Sequence, residues 1–522
     1  MALLILVGRV AAFFWMLIIV PCAYATELTA LVYHDVPPDP GREPYNVSRS
    51  LFVAQMDYLK HNGYQPVSLD LLTKAQEGKA RLPDKPVLLT FDDALHSYSE
   101  FVAPLLKLYG FPSVVSVVGV WADGAHTPPE YQGRLMAWDD LRKLRRNPLV
   151  EIISHSHDLH RGIPSNPQGN EAAATTTRRY SKEARSYESE AEFRQRIRDD
   201  LAQSVAEFKR HLGFAPRAIA WPYGYYDQVL VEEMTRAGIR FYLSMDNGPT
   251  TLAELPRIKR VIVRNTPSLI GFIDDLQYKY RLADQRVVQF SLDPFKGVSE
   301  AKQEELLSRV LDRLQILGAN TVMVSPFTAD RREAFFHNRQ MPVAADVLNR
   351  VLHQILTRLR IQRIYLSLPT SVPVKDMDDL YTDMARLSWF SGVVFDSPPA
   401  QTETRVRHLM SYYHPIVKFG LEGAPPVNRQ YDFEVVRLDA GLSRKDLETR
   451  AEAVKNSPTE ALAILGWAPK EGDRELAARL RLLRGLGVKH YGYGPDDYAD
   501  ASPVHYVVAP EMTGRPAEGK EK

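Results

Sequence analysis

Carboxylate and imidazole side chains follow three short apolar segments of the chain. They are Asp92 and Asp93 after residues 87–91, His155, His157 and His160 after residues 150–153, and His34 and Asp35 after residues 28–33. Parallel sheets place their reactive groups where the strands end. Two imidazoles and one carboxylate at neighbouring strand ends can hold a divalent metal that keeps open positions for water and substrate. Such a metal acidifies its water and polarises a carbonyl, and a second carboxylate can act as base. These residues predict a metal-dependent hydrolase.

Each cluster has a simpler explanation when it is taken alone. Asp is common in turns, so Asp92 and Asp93 by themselves favour a capped turn. The histidines by themselves are equally well explained as surface residues of a polar loop. Adjacent side chains on a strand point to opposite faces, so the two carboxylates serve one site only if the chain turns there. The occurrence of both clusters at strand ends favours the metal site.

Short apolar runs alternate with helical patterns over about residues 28–263, which predicts βαβ units around a parallel sheet. Strands are predicted at 28–33, 87–91, 113–118, 150–153, 218–221 and 261–263, and helices at 51–61, 98–108, 138–145, 193–212 and 228–237. Residues 161–190 interrupt this series and are rich in Gly, Pro, Asn, Ser and Thr. They predict a long polar loop whose Arg and Glu side chains are solvated.

A second alternating series begins after about residue 285. Its strands are predicted at 287–292, 321–324, 363–368, 392–395, 416–419, 433–438, 461–467 and 489–493. Eight strands within ~210 residues fit a compact (β/α)₈ barrel. The fold class is therefore α/β, with a first domain predicted over 26–275, a second over 285–510 and a disordered tail over 511–522.

Composition excludes several classes of protein. A chain of 522 residues corresponds to two or three domains at ~150 residues each. Hydrophobic residues make up 45% and charged residues 25%, which are ordinary globular values and exclude a disordered, collagen-like or coiled-coil chain. Lys and Arg number 65 against 64 Asp and Glu. This balance gives no general electrostatic reason to bind nucleic acid.

The N-terminus has the pattern of an export signal. Arg9 precedes an apolar run over 10–20 that is too short to span a bilayer comfortably. The small-x-small sequence Ala23-Tyr-Ala25 predicts a signal peptide over 1–25, cut after Ala25. The alternatives are an uncleaved anchor and lipidation of Cys22, for which the preceding Pro21 is a poor fit. Cys22 is the one cysteine of the chain, so no intrachain disulfide can form.

Four sequence segments resemble, in order, motifs of the polysaccharide deacetylase (NodB-homology) family. They are Thr90-Phe-Asp-Asp93, Ser154-His155-x4-His160, Trp221-Pro-Tyr-Gly224 and Leu255-Pro-Arg-Ile258. His34 near the start resembles a late histidine motif of the family, which indicates a circularly permuted member. Such members act in the periplasm on poly-β-1,6-N-acetyl-D-glucosamine during export of biofilm exopolysaccharide. The resemblance implies a distorted (β/α) barrel followed by a glycoside-hydrolase-like barrel.

The resemblance also implies a role for each matching residue. Asp93, His155 and His160 would hold one divalent transition metal, which the ligand set leaves open among Zn²⁺, Co²⁺, Ni²⁺ and Fe²⁺. Asp92 would be the general base, and His34 the general acid that protonates the leaving amine. A backbone N–H near Tyr223 would stabilise the oxyanion. The predicted substrate-binding residues of this domain are Trp221, Pro222, Tyr223 and Gly224, and His157 is predicted to face solvent.

The sequence departs from the family pattern in one respect here. Many simple members carry an arginine that orients the base just before the Pro222 position, where this chain has Trp221. Arg217 lies too early to replace it. We therefore expect Asp92 to be held differently and the activity to be low.

The second barrel retains single acids where active relatives would show consecutive ones. Asp293 and Asp396 are candidate sugar contacts, or alternatively caps of the following helices. Hydrolysis would need a carboxylic acid at a strand end, so we expect this barrel to bind or guide glycan. The expected partners are the exported polymer and an outer-membrane export protein. The alternatives are a non-catalytic glycan-binding protein and a deacetylase of peptidoglycan, chitin fragments or acetyl-xylan.

Overall fold

The computed structural model describes residues 27–266, 268–279, 283–369, 372–396, 403–423, 431–469 and 472–513. The predicted signal peptide and Cys22 lie outside these residues. Two parallel β-barrels surrounded by helices follow one another along the chain, so the predicted fold class is confirmed. Among the helices of the described part, none is both long and apolar enough to cross a membrane.

Seven parallel strands close the first barrel. They are β1 Thr29–Tyr33, β3 Pro86–Phe91, β4 Ser113–Val117, β5 Val150–Ser154, β10 Ala218–Ala220, β11 Phe241–Ser244 and β12 Arg257–Ile262. Their order is β1-β12-β11-β10-β5-β4-β3, and β3 pairs back onto β1. One residue pair alone, Ile219 with Ser154, joins β10 to β5, so the barrel is distorted at this junction. A further short strand, β2 Gln65–Pro66, pairs with β3 outside the ring.

The helices of the first half cover the barrel, as the apolar faces of their sequences require. They are α1 Arg49–His61, α2 Leu69–Gln76, α3 Ala103–Tyr109 (preceded by a π-helical turn, Tyr98–Val102), α4 Gly119–Ala122, α5 Trp138–Leu144, α6 Glu190–Leu212, α7 Gln228–Arg236 and α8 Leu269–Leu276. All six residues of β3 are buried, which explains the continuous apolar run that predicts it. The strand β11 is absent from the sequence-based prediction.

The long helix α6 has clear start and stop signals and supports the histidine cluster. Ser189 caps its N-terminus and exchanges hydrogen bonds with Glu192, and Gly213 ends it with a left-handed φ of 77°, as the capping rules predict. Asp200 on this helix accepts hydrogen bonds from the backbone N–H groups of His157 and Asp158. The loop that carries the histidines is therefore fastened to α6.

Residues 161–190 form two small hairpins rather than the predicted polar loop. They pair β6 Gly162–Pro164 with β7 Glu171–Ala173, and β8 Tyr180–Ser181 with β9 Ser186–Tyr187. The expectation that all its charges are solvated is wrong for Arg178, which is buried. Its guanidinium binds Glu190 at 2.9 Å and Asp227 at 3.2 Å and lies 3.6 Å from the ring centre of Phe193. These partners compensate the buried guanidinium for the hydration that it loses.

The hairpins also contact the second barrel. The Tyr187 hydroxyl donates to Asp346 Oδ2 at 2.9 Å, and the Gln168 amide donates to the Asp346 carbonyl at 2.9 Å. Asn166 donates to Asn349 Oδ1 at the same distance. The inserted segment is thus a polar interface between the two halves of the chain.

Eight parallel strands close the second barrel. Its last strand packs so tightly against its first that a Cβ on Gly492 would lie 1.8 Å from the Val287 carbonyl oxygen. The strands are β13 Arg286–Phe290, β14 Thr321–Val324, β15 Arg363–Leu368, β16 Gly392–Phe395, β17 Lys418–Glu422, β18 Phe433–Leu438, β19 Glu460–Gly466 and β20 His490–Asp496.

The helices of the second half alternate with these strands. They are α9 Glu300–Ile316, α10 Leu348–Leu359, α11 Met377–Leu387, α12 Glu403–Tyr413, α13 Arg444–Lys455, α14 Asp473–Gly485 and α15 His505–Thr513. Residues 511–513 of the predicted tail instead belong to α15, where Met512 is buried. The rest of that tail, 514–522, lies outside the described residues, and the other predicted domain limits stay predictions.

Replacing the buried arginine of the hairpins tests their structural role. We expect Arg178→Ala to lower the free energy of unfolding by about 3–5 kcal/mol, because it leaves Asp227 as an uncompensated buried charge. The neighbouring Arg179 is exposed, and Arg179→Ala should change stability by less than about 0.5 kcal/mol. Urea unfolding followed by circular dichroism measures both variants. Equal stability of the two would contradict the assigned role of Arg178.

Candidate active site

The chain turns sharply after β3, and this turn brings two adjacent carboxylates to one place. Asp93 and Ala94 both have left-handed backbone conformations, with φ of 71° and 55°. Such conformations are uncommon outside glycine and reverse the alternation that a continuing strand would impose. Asp92 and Asp93 are both buried, with 5% and 3% of their surface exposed. The chain therefore turns where it must for both carboxylates to serve one site.

Asp93 faces two histidines from the loop after β5. Its Oδ1 atom lies 3.5 Å from His155 Nε2 and 3.6 Å from His160 Nε2, and ligand atoms of the three residues all lie within 4.8 Å of one another. Oδ1 is buried and has no hydrogen-bond partner in the described part of the chain. An unsatisfied buried carboxylate oxygen is costly. A divalent cation shared with the two imidazoles would satisfy it, so these residues fit the implied metal.

The surroundings of the two histidines suit ligation through Nε2. His155 Nδ1 lies 2.7 Å from the Ala220 carbonyl, so Nδ1–H donates there and leaves Nε2 free to bind a metal. The His160 ring lies 4.7 Å from the ring centre of Trp121 and 4.5 Å from that of Tyr223. Burial lowers the pKa of His160 to about 4. The imidazole is therefore neutral at pH 7, the form that metals bind.

Asp92 is held by a residue that the sequence prediction did not identify. Arg260 on β12 donates from Nη1 to Asp92 Oδ1 at 2.8 Å, and the Ser116 hydroxyl donates to the same oxygen at 2.8 Å. Burial by itself raises the pKa of Asp92, but the charges of Arg260 and His155 outweigh it and lower that pKa to about 2. Asp92 is therefore ionised at neutral pH and can accept a proton.

Arg260, and not an arginine before Pro222, contacts Asp92 in this chain. Arg217, the other arginine considered, binds Glu151 instead, with Nη2 2.7 Å from Oε2. One feature of the sequence could have identified Arg260: it lies between the apolar residues Ile258 and Val261. An arginine among buried apolar residues needs a buried acidic partner. Asp92 is thus held by an arginine from β12, and the low activity expected from the missing arginine stays a prediction.

His34 follows β1 and lies close to the two carboxylates. Its charge contributes to lowering the pKa of both Asp92 and Asp93. Its ring stacks on Tyr45 with 5.3 Å between ring centres, and its Nδ1 atom is buried without a hydrogen-bond partner among the described residues. The structure therefore brings the predicted acid, base and ligands together.

The predicted substrate-binding segment 221–224 contributes unequally. Tyr223 adopts a left-handed φ of 58° and leaves 49% of its surface exposed, so its ring is accessible to a ligand. Trp221 has no exposed surface and packs in the interior, and Pro222 is also buried. The prediction that Trp221 lines a sugar pocket is corrected: a fully buried ring cannot contact substrate. Gly224 lies against Met245, which a Cβ would meet at 2.3 Å.

His157 is neither a ligand nor a solvent-facing residue. Its Nδ1 atom lies 3.0 Å from Oε2 of the buried Glu207 on α6, and the side chain is half-buried, so the prediction that it faces solvent is wrong. A further contact absent from the sequence prediction is made by Tyr131, whose hydroxyl donates to Asp93 Oδ2 at 2.9 Å. No motif marks Tyr131, because its role depends on how a loop folds over the site.

The two candidate acids of the second barrel lie at the ends of β13 and β16 and not in the first site. Asp293 begins a 3₁₀ turn and accepts hydrogen bonds from the Ser291 hydroxyl at 2.8 Å and the Ala329 N–H at 3.3 Å. Asp396 binds Arg331 Nη2 at 2.6 Å. Both carboxylates are engaged by neighbouring protein groups.

Both halves of the chain are similar to known protein families. Residues 79–242 match the family model "Polysaccharide deacetylase", and residues 290–372 match "Hypothetical glycosyl hydrolase family 13". The poly-β-1,6-N-acetyl-D-glucosamine N-deacetylase of Escherichia coli K12 is 29% identical over 356 residues, which cover 65% of this chain and 52% of the relative. The chain thus spans about half the length of that relative.

Two solved structures are also similar. The deacetylase domain of BpsB from Bordetella bronchiseptica is 32% identical, covers 45% of this chain and 95% of its own, and has a TM-score of 0.41. The glycoside hydrolase domain of PgaB (BpsB) from the same organism is 18% identical, covers 44% of this chain and 98% of its own, and has a TM-score of 0.39. The chain therefore carries a polysaccharide deacetylase domain, followed by a glycosyl hydrolase-like domain.

Proposed function

We propose that this protein is a metal-dependent N-deacetylase that hydrolyses acetyl amides of poly-β-1,6-N-acetyl-D-glucosamine and releases acetate. The observation that carries the proposal is the convergence of Asp93, His155 and His160 beside a second carboxylate, Asp92, that Arg260 keeps ionised. Amide hydrolysis needs an activated water, a charge sink for the oxyanion and a proton for the leaving nitrogen. The site has a group for each need.

Each residue of the site has its own role in the proposed reaction. A divalent metal held by Asp93, His155 and His160 would acidify a water and polarise the acetyl carbonyl. Asp92 accepts a proton from the attacking water while the water oxygen bonds to the carbonyl carbon. A backbone N–H at Tyr223 stabilises the oxyanion. His34 donates a proton to the amide nitrogen as the C–N bond breaks, which leaves acetate and a free amine.

The choice of substrate rests on the relatives and on the aromatic surface at the site. The matched Escherichia coli relative is named for poly-β-1,6-N-acetyl-D-glucosamine. The exposed ring of Tyr223 lies 4.5 Å from His160 and offers an apolar face of the kind that packs on sugar rings. We place the reaction in the periplasm, after removal of residues 1–25, with the exported polymer and an outer-membrane export protein as partners.

The second barrel would bind or guide the polymer rather than cleave it. A glycosidase needs a carboxylic acid with a raised pKa beside the scissile bond. Two carboxylates at strand ends face arginines instead: Asp396 binds Arg331, and Glu422 binds Arg437 with Nη2 3.0 Å from Oε2. A carboxylate held in such an ion pair is engaged by its protein partner rather than by a glycosidic oxygen.

Metal removal tests the proposal most directly. We expect the purified protein to release acetate from a poly-β-1,6-N-acetyl-D-glucosamine oligomer, to stop in the presence of chelator, and to recover with one of Zn²⁺, Co²⁺, Ni²⁺ or Fe²⁺. An enzymatic acetate assay with each metal gives the result. Oligomer binding without acetate release under every metal would favour a glycan-binding protein. Release from chitin, peptidoglycan or acetyl-xylan oligomers alone would change the substrate.

Two substitutions separate the base from a ligand. Asp92→Asn should lower kcat by about 10²- to 10⁴-fold, the usual contribution of a general base, while metal affinity is kept. His155→Ala should lose both activity and tight metal binding. His61→Ala, at an exposed histidine of α1, serves as the control and should leave both unchanged. Acetate release and metal content are measured on the same preparations, and full activity of Asp92→Asn would disprove its role as base.

The two arginines provide a matched test of which one orients the base. Arg260→Lys keeps a positive charge but loses the guanidinium geometry that reaches Asp92, so we expect kcat to fall by about 10- to 100-fold. Metal affinity should be unaffected. Arg217→Lys should leave kcat unchanged, because Arg217 binds Glu151 outside the site. A loss of activity in Arg217→Lys but not in Arg260→Lys would reverse the assignment.

A further inference from the structure

The segment between α4 and α5, residues 123–137, contacts the candidate metal ligand Asp93. Tyr131 in this segment donates its hydroxyl hydrogen to Asp93 Oδ2 at 2.9 Å. The other carboxylate oxygen, Oδ1, is the one that faces His155 and His160. The two oxygens of one side chain therefore have different surroundings, one a protein donor and the other the pair of imidazoles.

Aromatic packing fixes where the Tyr131 ring lies. The ring contacts the edge of Trp121, with 5.6 Å between ring centres and an interplanar angle of 67°. Trp121 is buried and lies 4.7 Å from the ring centre of His160. Tyr131 thus packs on the same tryptophan as one of the two histidines.

Ion pairing and backbone hydrogen bonds fasten the segment to the turn that follows Asp93. Arg134 forms an ion pair with the buried Asp35, which also accepts a hydrogen bond from Ser97. The backbone N–H of Met136 donates to the Ala94 carbonyl at 2.9 Å. The backbone N–H of His96 donates to the Arg134 carbonyl at 2.7 Å. Asp35, which has no part in the proposed reaction, acquires a role as the anchor of this segment.

We propose that Tyr131 is a positioning residue that sets the metal affinity of the site by fixing the rotation of the Asp93 carboxylate. A carboxylate that is free to rotate presents either oxygen, or both, to a cation. A hydrogen bond to Oδ2 reserves Oδ1 for the position between the two imidazoles. Partners of this kind, bonded to a ligand rather than to the metal, orient the ligand and raise metal affinity. The inference rests on the proposed function in requiring that a metal binds here.

The test compares Zn²⁺ affinity in the unmodified protein and two Tyr→Phe variants. We expect Tyr131→Phe to bind Zn²⁺ about 10- to 100-fold more weakly, measured by competition with a chromophoric chelator after metal removal. Tyr109→Phe is the matched control, because the Tyr109 hydroxyl donates to Asp57 Oδ1 at 2.6 Å, a carboxylate remote from the metal ligands. Its Zn²⁺ affinity should equal that of the unmodified protein.

Melting temperatures of the metal-free proteins separate positioning from simple structural support. We expect metal-free Tyr131→Phe to melt within a few degrees of the unmodified protein and to show a smaller rise on addition of Zn²⁺. Equal Zn²⁺ affinities of Tyr131→Phe and the unmodified protein would overturn this inference and leave the proposed function standing. An unmodified protein that binds none of Zn²⁺, Co²⁺, Ni²⁺ and Fe²⁺ would overturn both.

Discussion

Two adjacent carboxylates, Asp92 and Asp93, are buried at the end of one strand, and each must be compensated separately. An uncompensated buried charge is among the most costly features a fold can contain. Asp92 is satisfied by Arg260 and Ser116. Asp93 has Tyr131 on one oxygen and two imidazoles facing the other. The left-handed turn, the arginine in β12 and the loop over the site all follow from this one constraint.

The difference between the two partners creates two kinds of carboxylate. The positive charge of Arg260 keeps Asp92 ionised without occupying all of its acceptor capacity, which suits a base. In the part of the chain that the structure describes, no donor reaches the buried Oδ1 of Asp93, which suits a ligand. Neighbouring residues of the same type thus acquire different chemistry from their surroundings, as often occurs in paired-carboxylate sites.

The two barrels share a parallel architecture but differ at their mouths. The first presents a carboxylate that faces two imidazoles, and the second presents two carboxylates, Asp396 and Glu422, that are paired with arginines. The hairpins of residues 161–190 join the halves through Tyr187, Gln168 and Asn166. The insertion that looked like a solvated loop is therefore part of how the chain is assembled.

Local patterns in the sequence predicted a parallel sheet for the first half of the chain and a barrel for the second, whereas the first barrel and the assignment of Asp93, His155 and His160 as metal ligands came from the family resemblance. Strand and helix periodicity is a short-range property. Within each of the two motifs, 90–93 and 154–160, the residues are also close neighbours along the chain. The four-residue strand β11 was missed because so short an apolar run, close after a helix, gives a weak periodic signal. Residues 511–513 were taken for a tail although α15 buries Met512.

Tertiary structure alone decided which distant residues complete the site. Arg260 lies 168 positions from Asp92 and Tyr131 lies 38 positions from Asp93, and neither pairing leaves a trace in local spacing. Both depend on which strand ends and loops the barrel brings together. The same holds for Trp221 and Arg178, whose burial reflects what packs over them. Residue type sets what a side chain can do, whereas barrel closure sets which charges and donors it meets.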